Sequence, residues 1–171
     1  MRSRRGRSLC GTRAVHVVPR LRSRNISVCC SISKFGVIKY QIQSTPFNTP
    51  TFIQFLNGLF EEIERRVFGP SVIVMDNVPF HRSAQVSQII EDKGHVVLYL
   101  PAYSPFLNPI ENMFAKWKNS IRSSRPINEE LFNLINAVDD LTSPVDCGGY
   151  YRHMLGFISK CINKEPIIDE N

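Results

Sequence analysis

Two periodicities take turns along this chain. Residues 26–33 are rich in β-branched and apolar types, and from Val37 to Gln43 the set Val37, Lys39, Gln41, Gln43 alternates with Ile38, Tyr40, Ile42. With Lys34-Phe35-Gly36 between them, the two runs predict a β-hairpin. Phe52, Phe55, Leu56, Leu59 and Ile63 then recur at helical spacing and predict an amphipathic helix over residues 51–66. Asn48 or Thr49 can cap it, with Pro50 in its first turn. Glu61, Glu62 and Glu64 read as its solvated face, beside Arg65 and Arg66. Val72-Ile73-Val74-Met75, entered through Gly69-Pro70-Ser71, is an unbroken apolar run of strand length. A helix is expected from Ser83 to about Lys93, with Val86, Ile89 and Ile90 inward and Gly94 as its stop. Val96-Val97-Leu98-Tyr99-Leu100 completes a strand–helix–strand unit.

The stretch Pro101-Ala102-Tyr103-Ser104-Pro105-Phe106-Leu107-Asn108-Pro109 is punctuated by prolines and predicts a loop. From Pro109 a helix places Ile110, Met113, Phe114, Trp117 and Ile121 on one side, with Trp117 in the core. A further helix is expected over residues 128–141, with Leu131, Leu134, Ile135 and Val138 inward. Ser143-Pro144 and Gly148-Gly149 are expected to break the chain, and Tyr151, Met154, Leu155, Ile158 and Ile162 to form the apolar face of a last helix. Strands alternating with helices give an α/β class, a mixed sheet flanked by helices, with no internal repeat.

Length and composition fit that picture: 171 residues favour one globular domain, and 43% hydrophobic with 21% charged residues is an ordinary balance. No apolar run approaches the ~20 residues of a membrane span. Met1 leads into arginines rather than an apolar core, so no secretory leader is expected. Five cysteines without zinc-ligand spacing read as reduced, intracellular thiols.

Charge changes the picture at one end. Arg2, Arg4, Arg5, Arg7, Arg13, Arg20, Arg22 and Arg24 crowd the first 24 residues, which hold no acid. The +6 net charge is therefore an N-terminal feature. The chain divides into an irregular basic arm (1–24, interrupted by Gly6, Gly11 and Pro19), a globular part (25–163) and a polar tail expected to fray (164–171). Such an arm favours a polyanion, nucleic acid above all. A solvated arm or an Arg- and Ser-rich targeting segment are the other readings.

Two acids stand out by position. Asp76 follows the apolar strand at once, where open α/β folds place ligands, and Glu111 stands in the first turn of the Pro109 helix, with 34 residues between them. Carboxylate oxygens suit hard divalent cations. Each acid has a second reading: Asp76 as a turn or cap residue, and Glu111 as the N3 member of a capping box with Asn108. His81 can bond a phosphate or cap a loop, and it stands with Asn112 as a secondary candidate. Lys118 and Arg122 share the Glu111 face of their helix and can approach phosphates, or be an ordinary polar helix side.

Asp76-Asn77 with His81, Leu100-Pro101-Ala102-Tyr103-Ser104-Pro105, Asn108-Pro109-Ile110-Glu111-Asn112 and Trp117-Lys118 together resemble the DDE transposases of the mariner superfamily and their bacterial insertion-sequence relatives. The likeness covers roughly residues 6–162, and the spacing of the two acids is similar to that of one large branch. The resemblance implies a ribonuclease H-like fold in which three carboxylates hold two metal ions, Mg2+ or Mn2+, to cut and join DNA. Asp76 would be the second acid and Glu111 the third.

No Asp or Glu precedes Glu61. The family's first aspartate, the central strand that carries it, and the DNA-binding region upstream are therefore expected to be absent from this chain. The expectations are a catalytically incomplete transposase-like domain bound to DNA, or an active nuclease completed by an upstream segment or partner, or a non-catalytic α/β DNA-binding or interaction protein. Without the central strand its neighbours would expose unpaired edges, so self-association is expected. The implied location is the nucleus of a eukaryote, or the cytoplasm or nucleoid of a bacterium, away from membranes.

Overall fold

A computed structural model describes residues 10–11, 26–124 and 142–167. In order come β1 (Ser27–Ser33), β2 (Gly36–Gln43), α1 (Thr49–Arg65), β3 (Val72–Met75), α2 (Ala84–Asp92), β4 (Val96–Tyr99), a 3-10 turn (Pro105–Leu107), α3 (Pro109–Ser124) and α4 (Pro144–Ile162). The elements expected up to Ser124 are all found, each within a few residues of its expected bounds. The arginine-rich arm, the helix expected over residues 128–141 and the end of the polar tail lie outside the described residues.

β1 and β2 pair antiparallel from Ser27↔Gln43 to Ser33↔Gly36, with a register shift between Ser31 and Ile32. Gly36 takes φ 133 at the return, a conformation that glycine adopts without a Cβ clash. β3 and β4 pair parallel, Val72↔Val96 to Met75↔Tyr99. Among the described residues the two pairs do not join, so the expected mixed sheet is present as two separate halves. Phe35, just past β1, stacks on Phe68, just before β3, with ring centroids 6.4 Å apart. At the other end, Asp76 beyond β3 is close enough to act on the Cys29 thiol in the first half of β1. β1 and β3 therefore face each other running in opposite directions.

α1 spans the gap. Asn48 caps it: its side chain accepts from the Thr51 amide at 3.0 Å while the Thr51 hydroxyl accepts from the Asn48 amide at 2.9 Å. The helix buries Phe52, Phe55, Leu56, Leu59, Phe60 and Ile63 against Met75, Val86 and Ile90, and Cys29 and Ile38 of the hairpin pack on the same cluster. Each such side chain contributes roughly 1.5–3 kcal/mol by leaving water. Phe60, one turn beyond Leu56, joins the five positions that periodicity marks. Past its end, Arg66 donates to the carbonyls of Val37 (3.0 Å) and Ile38 (3.3 Å), tying the hairpin to the helix. The expected solvated acids behave as such, with Glu62 paired to Arg65 at 2.6 Å.

A second cluster, Val37, Met113 and Trp117, lies between the other face of the hairpin and α3, with Tyr150 of α4 against it. Trp117 is core, as expected.

The C-terminal helix departs from expectation. Ser143-Pro144 does not break the chain but starts α4: the Ser143 side chain accepts from the Asp146 amide, Asp146 bonds back to the Ser143 amide, and Pro144 fills the first turn. Gly148-Gly149 lie inside the helix. A Cβ on Gly148 would stand 3.7 Å from the Lys34 carbonyl and 3.8 Å from Arg152, ordinary contact distances, so the helix passes beside the hairpin turn without needing glycine there. The expected apolar face is only partly covered: Tyr151, Met154 and Ile158 are half-buried. Cys147 is the buried residue of α4, while Leu155 and Ile162 are 54% and 74% exposed.

Candidate metal centre

The site is assembled where β3 and β4 end and α3 begins. Asp76 follows Met75, whose burial fixes the end of β3. Asn77 donates through Nδ2 to the Leu100 carbonyl, and the Leu100 amide donates to the Met75 carbonyl at 2.8 Å. These bonds clamp the two strand ends together. The loop from Pro101 then doubles back through the 3-10 turn, and the Glu111 amide donates to the Asn108 carbonyl at 3.1 Å as α3 opens. Tyr103 at the tip of that loop sits at φ 58 and is 99% exposed. The result is a cavity of about 180 Å³ lined by Asp76, Asn77, residues 100–105, Asn108 and Glu111. The two expected acids thus line one cavity.

Their immediate partners differ. Asp76 Oδ1 lies 2.7 Å from His81 Nδ1 and accepts from the Val78 amide at 3.3 Å. Both contacts use the same oxygen, and among the described residues Oδ2 makes none. The imidazole is packed on Phe52 (centroids 4.3 Å) and Phe80 (4.5 Å). Burial pushes its pKa down by more than the neighbouring carboxylate pushes it up. It is therefore neutral near pH 7 and donates Nδ1–H to Asp76. Its backbone carbonyl accepts from the Tyr99 hydroxyl at 2.9 Å, which anchors it to β4. His81 thus orients Asp76, and Asp76 also takes the turn role, through Val78. The Glu111 carboxylate makes no hydrogen bond or ion pair among the described residues, so the capping-box reading of Glu111 is not realised.

The remaining candidates stand apart. Asn112 and Lys118 line neither this cavity nor the larger one beside it. Lys118 is exposed farther along α3, and the Arg122 side chain and the eight arginines of the arm lie outside the described residues. Asn77, whose amide clamps the strand ends, was not singled out in the sequence. Its adjacency to Asp76 at a strand end was the available signal.

Asp76 and Glu111 fit a divalent cation by donor type: two hard carboxylates lining one cavity, with one oxygen of Asp76 and both of Glu111 uncommitted among the described residues. Among the described residues no group of three or more His, Cys, Asp or Glu side chains gathers as a metal site. No described helix is long and apolar enough to cross a membrane.

Comparison with known proteins bears on this geometry. The model of the DDE superfamily endonuclease family matches residues 1–131. No sequence among the curated proteins matches. Among solved structures, the chain is similar to the Mos1 transposase catalytic domain with raltegravir and Mg, at 20% identity and TM-score 0.73, covering 84% of this chain and 76% of that one. It is similar to a pre-cleavage Mos1 transpososome at 18% identity and TM-score 0.82, covering 99% of this chain and 53% of that one. A Mos1 strand transfer complex matches at 18% identity and TM-score 0.76, covering 99% and 51%. The chain spans about half the length of the Mos1 chains in these two complexes. The shared architecture is the ribonuclease H-like one of the Mos1 catalytic domain.

Proposed function

The chain belongs to the DDE superfamily endonuclease family, and from that premise we propose that it is a DNA-binding, divalent-metal-binding transposase-like domain that holds two of the acids needed to cleave and join DNA strands. The observation that carries this reading is the shared cavity of Asp76 and Glu111. Asp76, steadied by His81, would offer Oδ2, and Glu111 would offer its carboxylate from the same cavity. Asn77 would keep the two strand ends, and so Asp76, at a fixed distance from the loop that leads to Glu111. Mg2+ or Mn2+ held by these residues would supply activation of a water or 3′-hydroxyl and stabilisation of the leaving oxygen.

Two acids suffice to hold one ion loosely, and positioning two ions in register needs further anionic ligands. Strand cleavage by this chain alone is therefore expected to be absent. The arginines of residues 1–24, with Lys118 and Arg122, would supply phosphate contacts, so DNA binding should be sequence-tolerant and steeply salt-dependent. The nucleus of a eukaryote, or the cytoplasm or nucleoid of a bacterium, would be the location that fits that partner.

Mn2+ titration followed by water-proton relaxation tests the site without requiring turnover. Asp76→Asn and Glu111→Gln should each weaken Mn2+ binding about tenfold or more, the scale on which a lost ligand or its support acts. Retained affinity in both variants would sink the reading. Metal-dependent nicking of supercoiled DNA by the unmodified chain, abolished by Asp76→Ala, would show that the site is complete without another ligand.

A further inference from the structure

Among the described residues three that are not glycine take a positive φ: Val67 (56), Tyr103 (58) and Lys164 (57). Two of them have a ready cause. Val67 follows the C-cap of α1 and Lys164 that of α4, the position where a chain commonly turns left-handed to close a helix. Tyr103 follows no helix. It stands between β4 and the 3-10 turn, almost wholly in solvent, and makes no side-chain hydrogen bond or ring contact among the described residues. It also lines the cavity of Asp76 and Glu111. We propose that Tyr103 is a stacking platform for one unpaired nucleobase, the base next to the phosphate held at that cavity. The role rests on the reading of this cavity as one that takes DNA.

The loop holds the ring in water rather than letting it fall back on the protein. Pro101 and Pro105 fix φ on either side of it. The Ser104 hydroxyl donates to the Ala102 carbonyl at 3.3 Å, bracketing Tyr103. The Leu107 and Asn108 amides donate to the Ser104 and Pro105 carbonyls at 3.1 and 2.9 Å. Asn77 clamps the entry at Leu100. A backbone conformation that L-residues avoid is thus kept, and a large aromatic face is kept bare. Folding gains from neither, so the strain points to a partner outside the chain. A bare aromatic face gains by covering itself with another π-face, and every nucleobase offers one.

Size selects which base. The cavity of about 180 Å³ equals the share of about six waters at ~30 Å³ each. That is room for a phosphate group and not for a base pair. A base joined to a phosphate seated there stays at the rim, where Tyr103 stands. Inside a continuous duplex both faces of that base are already stacked. At a single-stranded end one face is open, and the phenol ring can cover it. Such a contact tolerates any sequence and favours strand ends over intact duplex. Phosphate contacts by the arginines of residues 1–24 cannot supply that preference, because both kinds of DNA carry the same phosphates.

The test uses the full chain in Mg2+ with two DNA duplexes. One has short overhangs with 2-aminopurine at the unpaired end; the other is blunt with 2-aminopurine at a paired interior position. Stacking on a tyrosine ring quenches 2-aminopurine fluorescence. The unmodified chain and Tyr103→Phe should quench the overhang probe. Tyr103→Asn removes the ring but keeps a residue type that tolerates positive φ. It should lose the quenching and bind the overhang duplex about tenfold more weakly. All three should bind the blunt duplex alike and, by water-proton relaxation, Mn2+ alike. No quenching by the unmodified chain, or quenching kept by Tyr103→Asn, would overturn the proposal. So would quenching lost in Tyr103→Phe, which would show a contact through the hydroxyl. An equal loss on both duplexes would reduce Tyr103 to a general DNA contact, and Mn2+ affinity lost with the ring would make it a support of the Glu111 loop; either overturns it. Failure of the metal site is read separately. Asp76→Asn without loss of Mn2+ affinity sinks that site, while quenching that still depends on the Tyr103 ring upholds the base contact.

Discussion

On the parallel half of the molecule, α1 lays six fully buried side chains against Met75, Val86 and Ile90. On the hairpin half, Val37, Met113 and Trp117 are the buried residues, ringed by half-buried neighbours. The hairpin half also leaves Trp117 Nε1 and the Tyr150 hydroxyl buried without a described hydrogen-bond partner. Yet the hairpin has helices on both faces, whereas the parallel pair shows Val72, Val74, Val96 and Leu98 to solvent on the face away from α1. The candidate site straddles the two. Asp76 belongs to the parallel half and Glu111 to a helix packed on the hairpin half. No described sheet hydrogen bonds join those halves, so the spacing of the two carboxylates depends on side-chain packing across α1 rather than on a ladder. Packing of that kind is specific but tolerates small rigid-body shifts more readily than a continuous sheet does.

The largest expected effect reports on whether that seam is dry. Burial pushes the Cys29 thiol up to about 12, with Asp76 adding to the rise. The thiolate is the reactive form, so near pH 8 Cys29 should alkylate about a thousandfold more slowly than a thiol of ordinary pKa near 8.5. Exposed Cys161 is the internal reference. Iodoacetamide labelling followed by peptide mass mapping gives the ratio. Comparable rates at the two positions would mean that water and reagent reach the thiol through the cavity it lines between the halves.

Next in size is Leu56→Ala, at the centre of the shared helix. A cost of about 2–5 kcal/mol is expected for this truncation in a packed cluster. Because α1 serves both halves, Trp117 fluorescence and exchange of the β3 amides should report one coincident transition in urea. Two separate transitions would show that the halves fold independently. Val96→Ala, on the bare face, is the control and should stay within about 0.5 kcal/mol.

Asn77→Ala removes the bond from its side chain to the Leu100 carbonyl. The expected cost is about 1–3 kcal/mol, since a part-buried carbonyl loses its donor. Mn2+ affinity should fall as well, although Asn77 need not touch the ion, because the loop that delivers Glu111 starts at Leu100. A stability loss with unchanged affinity would confine Asn77 to the strand ends.

What the sequence disclosed follows the range of each interaction. β3, α1 and the start of α3 rest on local periodicity and capping, so Asp76 and Glu111 could be placed on their elements from residue order. The pairing of His81 with Asp76 and the clamp by Asn77 depend on tertiary contacts that no local pattern carries. Ser143-Pro144 was ambiguous for a physical reason: the same dipeptide interrupts one helix or opens the next, and Asp146 three residues on decided for opening. Gly148-Gly149 read as a breaker because propensity disfavours glycine in helices by about 1 kcal/mol each. The capped start at Ser143 and the packing of Cys147 carry the helix through them. Leu155 and Ile162 matched helical spacing, but spacing does not say whether anything lies opposite the face.

The smallest expected effect concerns how α3 and α4 are held to each other on the hairpin half. Lys116 Nζ lies 2.7 Å from Asp146 Oδ2, joining the two helices, and Asp146 also completes the cap with Ser143. The Lys116 ammonium, then the Ser143 amide and hydroxyl, lower the Asp146 pKa to about 2. A carboxyl depressed on folding contributes stability that is present above its unfolded value near 3.9 and lost as pH falls through that value towards 2. Both groups are substantially solvated, so screening keeps the pair to at most about 1 kcal/mol. Urea midpoints measured from pH 6 down to 2 should therefore fall more steeply below pH 4 for the unmodified chain than for Lys116→Met. The difference should shrink in 0.5 M salt, where the Debye length drops to about 4 Å. Parallel curves at low salt would mean that α4 is held to α3 and the hairpin by Cys147 and its apolar neighbours alone, with the ion pair contributing nothing to the weaker half.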